Sequence, residues 1–451
     1  MPRVPTIPEQ LNALYPAQWL RAQALATGAV KRSVKVDIVV FFWALVLAPV
    51  VGAAPSLAGL QRVFESMARI VINPSAYLKR FSEPLVLFLE TCAQRAFAEA
   101  IARWFDPKVF SPFREVLAID SSLVKLKDSL QVLFPGPRTN SAPAVAKVHA
   151  VYSVISGALR HVSIFAGKTS EVKVLKLDRD LKDTLLLYDL GYFQYSVFAR
   201  IARQGGFFVS RMKHSANPVI VADRYRGPGR KRNLVGQRLW DALAGIGRET
   251  VDLDVEAVYQ RKRRPTASDK RKSVTERRRF RVVGVRHPET NELHVYLTNL
   301  TPEQATPEQI RVIYTARWIV ELLFDELKNY CGMSGFPSAR PEIVRALIYL
   351  AVIRLAVCRA AMQALQQRML TGVRDRDPAL VPTVKTLIDE RCRSKRFLLA
   401  WSTLSLLMLP EILCHAGIPW DSRSLEKLLL KSMLDPNRRR NTLPSRLRGL
   451  R

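Results

Sequence analysis

Acidic residues are in short supply. Against 70 Lys and Arg, the 451-residue chain sets only 39 Asp and Glu, a formal charge of +31. Such an excess repels itself in a compact chain, and a polyanionic partner is the commonest reason to tolerate it, because binding then releases counterions. Nucleic acid is the first candidate and an acidic membrane surface the second. Cysteine is scarce too: Cys92, Cys331, Cys358, Cys392 and Cys414 form no C-x-x-C pair. Their scatter argues against a zinc ribbon or a disulfide framework, and for a reducing compartment. Long hydrophobic runs are lacking. The one stretch to consider, residues 38–60, breaks at Pro49, Gly52, Pro55 and Gly59. It falls short of the ~20 apolar residues of a span and reads as a buried core helix. Pro2, Pro5 and Pro8 interrupt the start of the chain, so no secretory leader is expected. No G-x-S-x-G occurs and the six His are dispersed, which removes support for a Ser-His-Asp hydrolase. Gly167-Lys168-Thr169 looks like the end of a phosphate loop, but Val162 stands where that motif requires glycine.

What is present is ample material for packed cores, with 48% hydrophobic and 8% aromatic residues. Residues 1–105 read as a helical N-terminal region. Within it, residues 56–64 and 74–81 form two short helices joined by a turn, the second carrying Lys79 and Arg80. That pattern suits either a helix-turn-helix or plain core packing. From residue 106 the texture changes to short apolar runs. Strands are expected at 115–119, 145–155, 162–166, 184–188 and 207–210, with a helix at 193–204. Residues 216–306 continue as a β-rich insertion. They enclose a basic stretch, residues 261–281, with eleven Lys or Arg against Asp269 and Glu276. A solvated hairpin loop is one reading. Phosphate contact by Arg261, Lys262, Arg263 and Arg264 is the reading the charge density favours. Residues 307–335 hold a further helix, and residues 336–451 read as a helical C-terminal region ending in a basic tail with six Arg after Pro436.

The run Val116-Leu117-Ala118-Ile119 lacks polar alternation, as expected of a strand covered on both faces, and ends in Asp120. A second such run, Leu185-Leu186-Leu187-Tyr188, ends in Asp189. If the two strands are parallel neighbours, both carboxylates emerge at the sheet edge where ligands bind, and can share divalent metal. An Asp that merely begins a turn is the alternative at each position. Asp178, Asp180 and Asp183 fall in an expected helix before the second strand and read as surface charges. After Pro307, the spacing Tyr314-x2-Arg317-x3-Glu321-x6-Lys328 sets four polar groups within about 60° of one helix face over ~21 Å. A solvated face with intrahelical ion pairs would look the same.

That spacing matches without gaps the Y-R-E-K signature of a large family of bacterial insertion-sequence transposases of the DDE type, which the chain resembles over residues 113–332. The resemblance implies an α/β fold: a ribonuclease-H-like mixed sheet with helices, a β-rich insertion, and all-α N- and C-terminal regions for end recognition and dimer contact. It implies Asp120, Asp189 and Glu321 as catalytic and metal-holding carboxylates, and Tyr314, Arg317 and Lys328 as contacts to the transposon end. Phosphodiester cleavage builds charge on phosphorus that two Mg²⁺ or Mn²⁺ ions can offset, and three carboxylates supply the hard oxygen ligands they need. The expected function is cut-and-paste transposition by a homodimer on paired terminal inverted repeats and target DNA. The protein is expected in the cytoplasm, nucleoid-associated when bound to DNA, with no membrane role. A catalytically silent domesticated DNA-binding protein and a metal nuclease without strand transfer are the alternatives. In relatives that form DNA hairpins, an aromatic residue of the insertion holds a flipped base; Trp240 and Tyr296 lie in that region.

Overall fold

The computed structural model describes residues 7–31, 36–48, 56–96, 107–137, 142–175, 180–225, 233–262, 273–329 and 331–376. The chain opens with helices α1 (Ile7–Leu14), α2 (Ala17–Ala26), α3 (Ile38–Leu47), α4 (Leu57–Ala68), α5 (Pro74–Leu78) and α6 (Glu83–Ala96). The apolar run in α3 is what its sequence suggests, a core helix. Asp37 caps it by accepting from Val39 N–H at 2.7 Å, and Phe41 through Leu47 are all buried. Among the described residues no helix is long and apolar enough to cross a membrane. Ser56 and Asn73 cap α4 and α5 through Gly59 and Ser75, and Pro74 supplies the preset first turn. The second helix of the expected pair is shorter than its sequence suggests, five residues in place of 74–81. Tyr77 and Phe81 are fully buried, and Arg80 turns its guanidinium to 6.0 Å from the Phe41 ring. Core packing therefore accounts for most of this pair. A groove-reading helix needs a longer outer face than α5 offers.

The middle of the chain builds β1 (Glu115–Lys125), β2 (Val145–Ser153), β3 (Leu159–Ala166), α7 (Glu171–Val174), β4 (Thr184–Tyr188), α8 (Tyr195–Arg203) and β5 (Phe207–Arg211). It continues through β6 (Val219–Asp223), α9 (Leu239–Leu243), β7 (Thr250–Lys262), β8 (Ser273–Arg286) and β9 (Leu293–Thr298). The nine strands form one sheet in the order β3-β2-β1-β4-β5-β9-β8-β7-β6. Strands β1, β4 and β5 run parallel and every other pairing is antiparallel. This is the mixed, ribonuclease-H-like sheet with helices that the resemblance implied. The strands of residues 216–306 extend that sheet through the β5–β9 pairing instead of forming a sheet of their own.

Two local expectations need correction. Strand β1 does not stop before Asp120, because β2 keeps pairing with it from Asp120↔Ala150 to Lys125↔Val145. What stops there is the parallel ladder with β4, whose last pair is Ile119↔Tyr188. The helix expected around Asp178, Asp180 and Asp183 is also different: α7 ends at Val174, and Asp183 takes a left-handed turn conformation at φ 56°. Asp178 lies outside the described residues.

Three helices follow: α10 (Pro307–Thr315), α11 (Trp318–Asn329) and α12 (Pro341–Arg376). Helix α12 packs on α1, α3 and α6, so the helices from the two ends of the chain share one core. The rest of the expected C-terminal helical region and the basic tail lie outside the described residues. A fully buried arginine joins this core. Arg354 of α12 donates to the carbonyls of Leu45 at 2.7 Å, Val46 at 3.1 Å and Cys331 at 3.3 Å. Two of these belong to the last turn of α3, where no intrahelical donor exists. Burial lowers the pKa of Arg354 to about 10, which still leaves it charged. Replacing Arg354 by Leu orphans three carbonyls, and at ~1–3 kcal/mol per buried unsatisfied group we expect a loss of about 3 kcal/mol or more in urea denaturation. Arg345→Leu, which breaks the more exposed pair with Glu83, is expected to lose less than about 1 kcal/mol in the same assay.

Candidate active site

The site is set by strand register. Ile119 lies opposite Tyr188, and Tyr188 lies opposite Ser210, across three parallel strands. The next residue on each strand is Asp120, Asp189 and Arg211. Equal register in parallel strands brings all three to one edge of the sheet. On β1, Val116 and Ala118 belong to the core shared with α11 and α12, and by alternation Asp120 takes the same face. Asp189 leaves β4 and opens a 3-10 turn, Leu190–Tyr192, whose Tyr192 N–H donates to the Asp189 carbonyl at 3.0 Å. Arg211 was not singled out in the sequence. Its signal was weaker, since Ser210 separates it from the apolar run Phe207-Phe208-Val209, whereas the two Asp directly follow theirs. The Arg211 guanidinium stands 5.9 Å from the Tyr296 ring.

The Y-R-E-K segment is not one continuous helix. Thr306 and Gln309 form a capping box that starts α10, but α10 ends at Thr315 and α11 begins at Trp318. Between them the hydrogen bonds tighten to i→i−3, with Arg317 N–H on Tyr314 at 3.0 Å and Val320 N–H on Arg317 at 3.1 Å. The turn carries Arg317 inward. Its side chain is 7% exposed and bridges two acids, donating to Glu321 at 2.6 Å and Asp120 at 3.3 Å. Tyr314 is buried and directs its hydroxyl to the carbonyl of Tyr188, the residue before Asp189, at 3.3 Å. Lys328 is apart from these groups, seven residues and ~10 Å along α11 from Glu321. Asp325 lies near Lys328 electrostatically, and burial lowers the Lys328 pKa. The structure thus brings Asp120, Asp189, Glu321, Arg317 and Tyr314 together and leaves Lys328 at the rim.

The electrostatics match that geometry. Burial raises the pKa of Asp120 to about 6; the Ser121 N–H and Arg317 lower it, while Asp189 and Glu321 add like-charge repulsion. Burial opposes the charge on Arg317, yet Tyr314, Glu321 and Asp189 hold it above the ordinary arginine range. Arg317 Nε is buried without a partner. Among the described residues no three carboxylate, imidazole or thiol groups converge tightly enough to grip one ion as they stand, since Arg317 lies between Asp120 and Glu321. The donor set nonetheless suits a divalent ion. Asp120 and Asp189 follow neighbouring strands at one edge, Glu321 lies across Arg317 from Asp120, and the repulsion that Asp189 and Glu321 exert on Asp120 favours added positive charge.

The remaining sequence candidates are divided. Arg261 and Lys262 end β7, and Arg261 pairs with Glu276 across the β7–β8 hairpin. Arg263 and Arg264 lie outside the described residues. Later in the basic stretch, Arg278 donates to the Ala199 carbonyl at 3.2 Å. Arg281 is buried, holding Asp252 through two hydrogen bonds at 2.8 and 2.7 Å and the carbonyls of Leu300 and Ala305. Part of the stretch is therefore structural. Of the two aromatics, Tyr296 is buried 5.1 Å from the Tyr314 ring, and Trp240 is stacked on His214 at 4.4 Å.

Comparison with known proteins follows the same lines. The chain is similar to the transposase for insertion sequence element IS231F of Bacillus thuringiensis subsp. israelensis, at 22% identity over 342 residues, covering 70% of this chain and 72% of that one. It is 24% identical over 269 residues to the transposase for insertion sequence element IS1151 of Clostridium perfringens, covering 54% and 56%. It is 20% identical over 423 residues to the transposase for insertion sequence element IS231B of Bacillus thuringiensis subsp. berliner, covering 86% and 82%. The family described as the transposase DDE domain matches residues 111–356, a span that runs from just before β1 into α12 and takes in the whole sheet and the paired acids at its edge. The chain belongs to the DDE transposase family.

Proposed function

We propose that this protein carries out cut-and-paste transposition, cutting DNA at the ends of its own element and joining those ends to target DNA, with Asp120, Asp189 and Glu321 as its catalytic carboxylates. One observation carries the assignment of residues. The Ile119↔Tyr188 register sets Asp120 beside Asp189, and Arg317 ties Glu321 to Asp120. These three acids are the residues that would hold Mg²⁺ or Mn²⁺, as a pair of ions. Bound there, the metal supplies positive charge for the attacking and leaving oxygens of an in-line displacement at phosphorus.

The chain's own residues do the rest. Arg317 is anchored by both acids, and its guanidinium, held beside Asp120 and Glu321, orients the scissile phosphate at the carboxylates. Tyr314 holds the end of β4 through the Tyr188 carbonyl and packs its ring at a tilt against Tyr296, which keeps Asp189 in place. Arg211 and Lys328 flank the acids on β5 and α11 and extend the phosphate track in two directions. The basic stretch that follows β7, with Arg261, Lys262, Arg263 and Arg264, grips the backbone farther out. Paired ends call for a homodimer in the DNA complex, and DNA as substrate calls for the cytoplasm and nucleoid.

Each of Asp120→Ala, Asp189→Ala and Glu321→Ala is expected to lower cleavage of an element end by at least about 100-fold, the cost of a small misplacement of reacting atoms, while end binding stays within about threefold. The measurement is a time course of nicked, double-cut and joined products beside a gel-shift titration. Cleavage at the wild-type rate in any of the three removes that residue from the site.

Neutralising Arg261, Lys262, Arg263 and Arg264 together is expected to weaken binding to all duplexes alike and to reduce the slope of log affinity against log salt by about 0.9 for each phosphate left without its cation. Arg281→Leu is expected to leave that slope unchanged and to lower stability by about 3 kcal/mol, because it leaves the Leu300 and Ala305 carbonyls without their donor and Asp252 with only Arg224 at 3.8 Å. A salt slope that falls in Arg281→Leu but not in the fourfold variant would reverse the assignment.

A further inference from the structure

The face of β1 and β2 that turns away from Asp120 carries charge where a core face needs none. Lys147 of β2 has a side chain only 6% exposed, and it forms an ion pair with Glu171 at the start of α7. Its ammonium also donates to the Thr169 carbonyl at 2.6 Å. A nearly buried pair of this kind adds little to stability, since desolvation offsets much of its attraction. Its neighbours suggest another reason for it. The Glu171 carboxylate accepts from Ser121 Oγ at 3.4 Å, and Ser121 directly follows Asp120. The Ser121 N–H in turn donates to Asp120 Oδ1 at 2.7 Å. On its other side Glu171 abuts Gly191, two residues beyond Asp189. A Cβ at Gly191 would lie 3.3 Å from Glu171 Cγ and 3.5 Å from Cδ. Gly191 thus lets the 3-10 turn after Asp189 rest directly on the Glu171 side chain.

We propose that Lys147 and Glu171 form a clamp on the back of the sheet that fixes the separation of Asp120 and Asp189. Glu171 is the hub: it is hydrogen-bonded to the strand that carries one acid and packed under the turn that carries the other, and Lys147 holds it there. Neither residue touches the reacting atoms; both are positioning residues. Such a device is needed because the two acids repel each other across the edge, and the β1–β4 ladder ends one residue short of them. Past Ile119 and Tyr188 no parallel backbone pairing holds them apart or together. The inference rests on the assignment of Asp120 and Asp189 as catalytic, and a supporting shell of this kind tunes metal sites generally.

The test uses the full chain with DNA ends of the element, comparing Glu171→Ala, Glu171→Gln, Lys147→Met, Lys147→Arg and Gly191→Ala with wild type. Maximal nicking rate and KM for DNA are read separately, and Mn²⁺ binding is measured by calorimetry on the DNA-free protein. The clamp predicts that Glu171→Ala and Lys147→Met lose ~10–100-fold in maximal rate and about tenfold in Mn²⁺ affinity, with KM within about twofold. Lys147→Arg, which keeps the pair, should stay within about threefold of wild type, and Glu171→Gln should fall between. Gly191→Ala leaves the ion pair intact and pushes on the turn alone, so it should lower the maximal rate with KM unchanged. Folded Glu171→Ala and Lys147→Met with wild-type rate and Mn²⁺ affinity would overturn the clamp, as would a loss shared equally by rate and DNA affinity. If both of those variants fail to fold, Gly191→Ala decides, and a wild-type rate there overturns it. Asp120→Ala run alongside separates two kinds of failure. An active Asp120→Ala refutes the catalytic assignment itself, whereas an inactive one beside a fully active Glu171→Ala refutes the clamp alone.

Discussion

Three parallel strands share one register, with Ile119, Tyr188 and Ser210 abreast, and the site depends on that alignment. A shift of one residue in either ladder would turn Asp120 or Asp189 to the opposite face of the sheet, because side chains alternate with period two. The register is itself held by burial. Val116, Ala118, Leu185 and Leu187 face the shared helical core, while Ile119, Leu186 and Tyr188 face the other cluster. Both faces of β1 and β4 are thus committed to apolar neighbours, and the acids can lie only where the ladder runs out.

Arginine does two kinds of work in this chain. The excess of positive charge points outward to a polyanion, yet a good share of it is turned inward to backbone carbonyls. Arg354 serves the end of α3, Arg340 the carbonyls of Leu78 and Phe81, Arg95 that of Leu14, and Arg286 those of Ile246, Arg248 and Asn291. A planar guanidinium with five donors can satisfy several carbonyls at once where helices and strands end without partners. Arg317 combines both kinds: it is buried like the structural arginines, but its partners are two of the acids, and one donor is left over.

The tight turn between α10 and α11 is what allows that combination. A straight α-helix would align Tyr314, Arg317, Glu321 and Lys328 along one exposed strip. The i→i−3 hydrogen bonds through Ala316 and Arg317 instead let Tyr314 reach the Tyr188 carbonyl while Arg317 turns to Asp120. Lys328, about two turns beyond Glu321, is half-buried and stays apart from that group.

Much of this was legible in the residues alone. The two apolar runs ending at Asp120 and Asp189, the gapless spacing of Tyr314, Arg317, Glu321 and Lys328, and the buried helix of residues 38–47 each rest on local patterns that a chain displays without folding: covered strands lose alternation, and a ten-residue apolar run between breakers is too short to span a bilayer. What only the tertiary structure decided involves partners distant in the chain. That β1 runs on past Asp120 depends on β2, and that Arg211 joins the edge depends on the β4–β5 register. That Arg281 is a structural residue in the middle of a basic stretch depends on Asp252, Leu300 and Ala305. The same holds for the back of the sheet, where Lys147 and Glu171 read as ordinary charges until β2 and α7 bring them together behind Asp120. Charge type and spacing are local properties of a sequence, but whether a charge faces solvent, a carbonyl or another charge is settled by which distant segment packs against it.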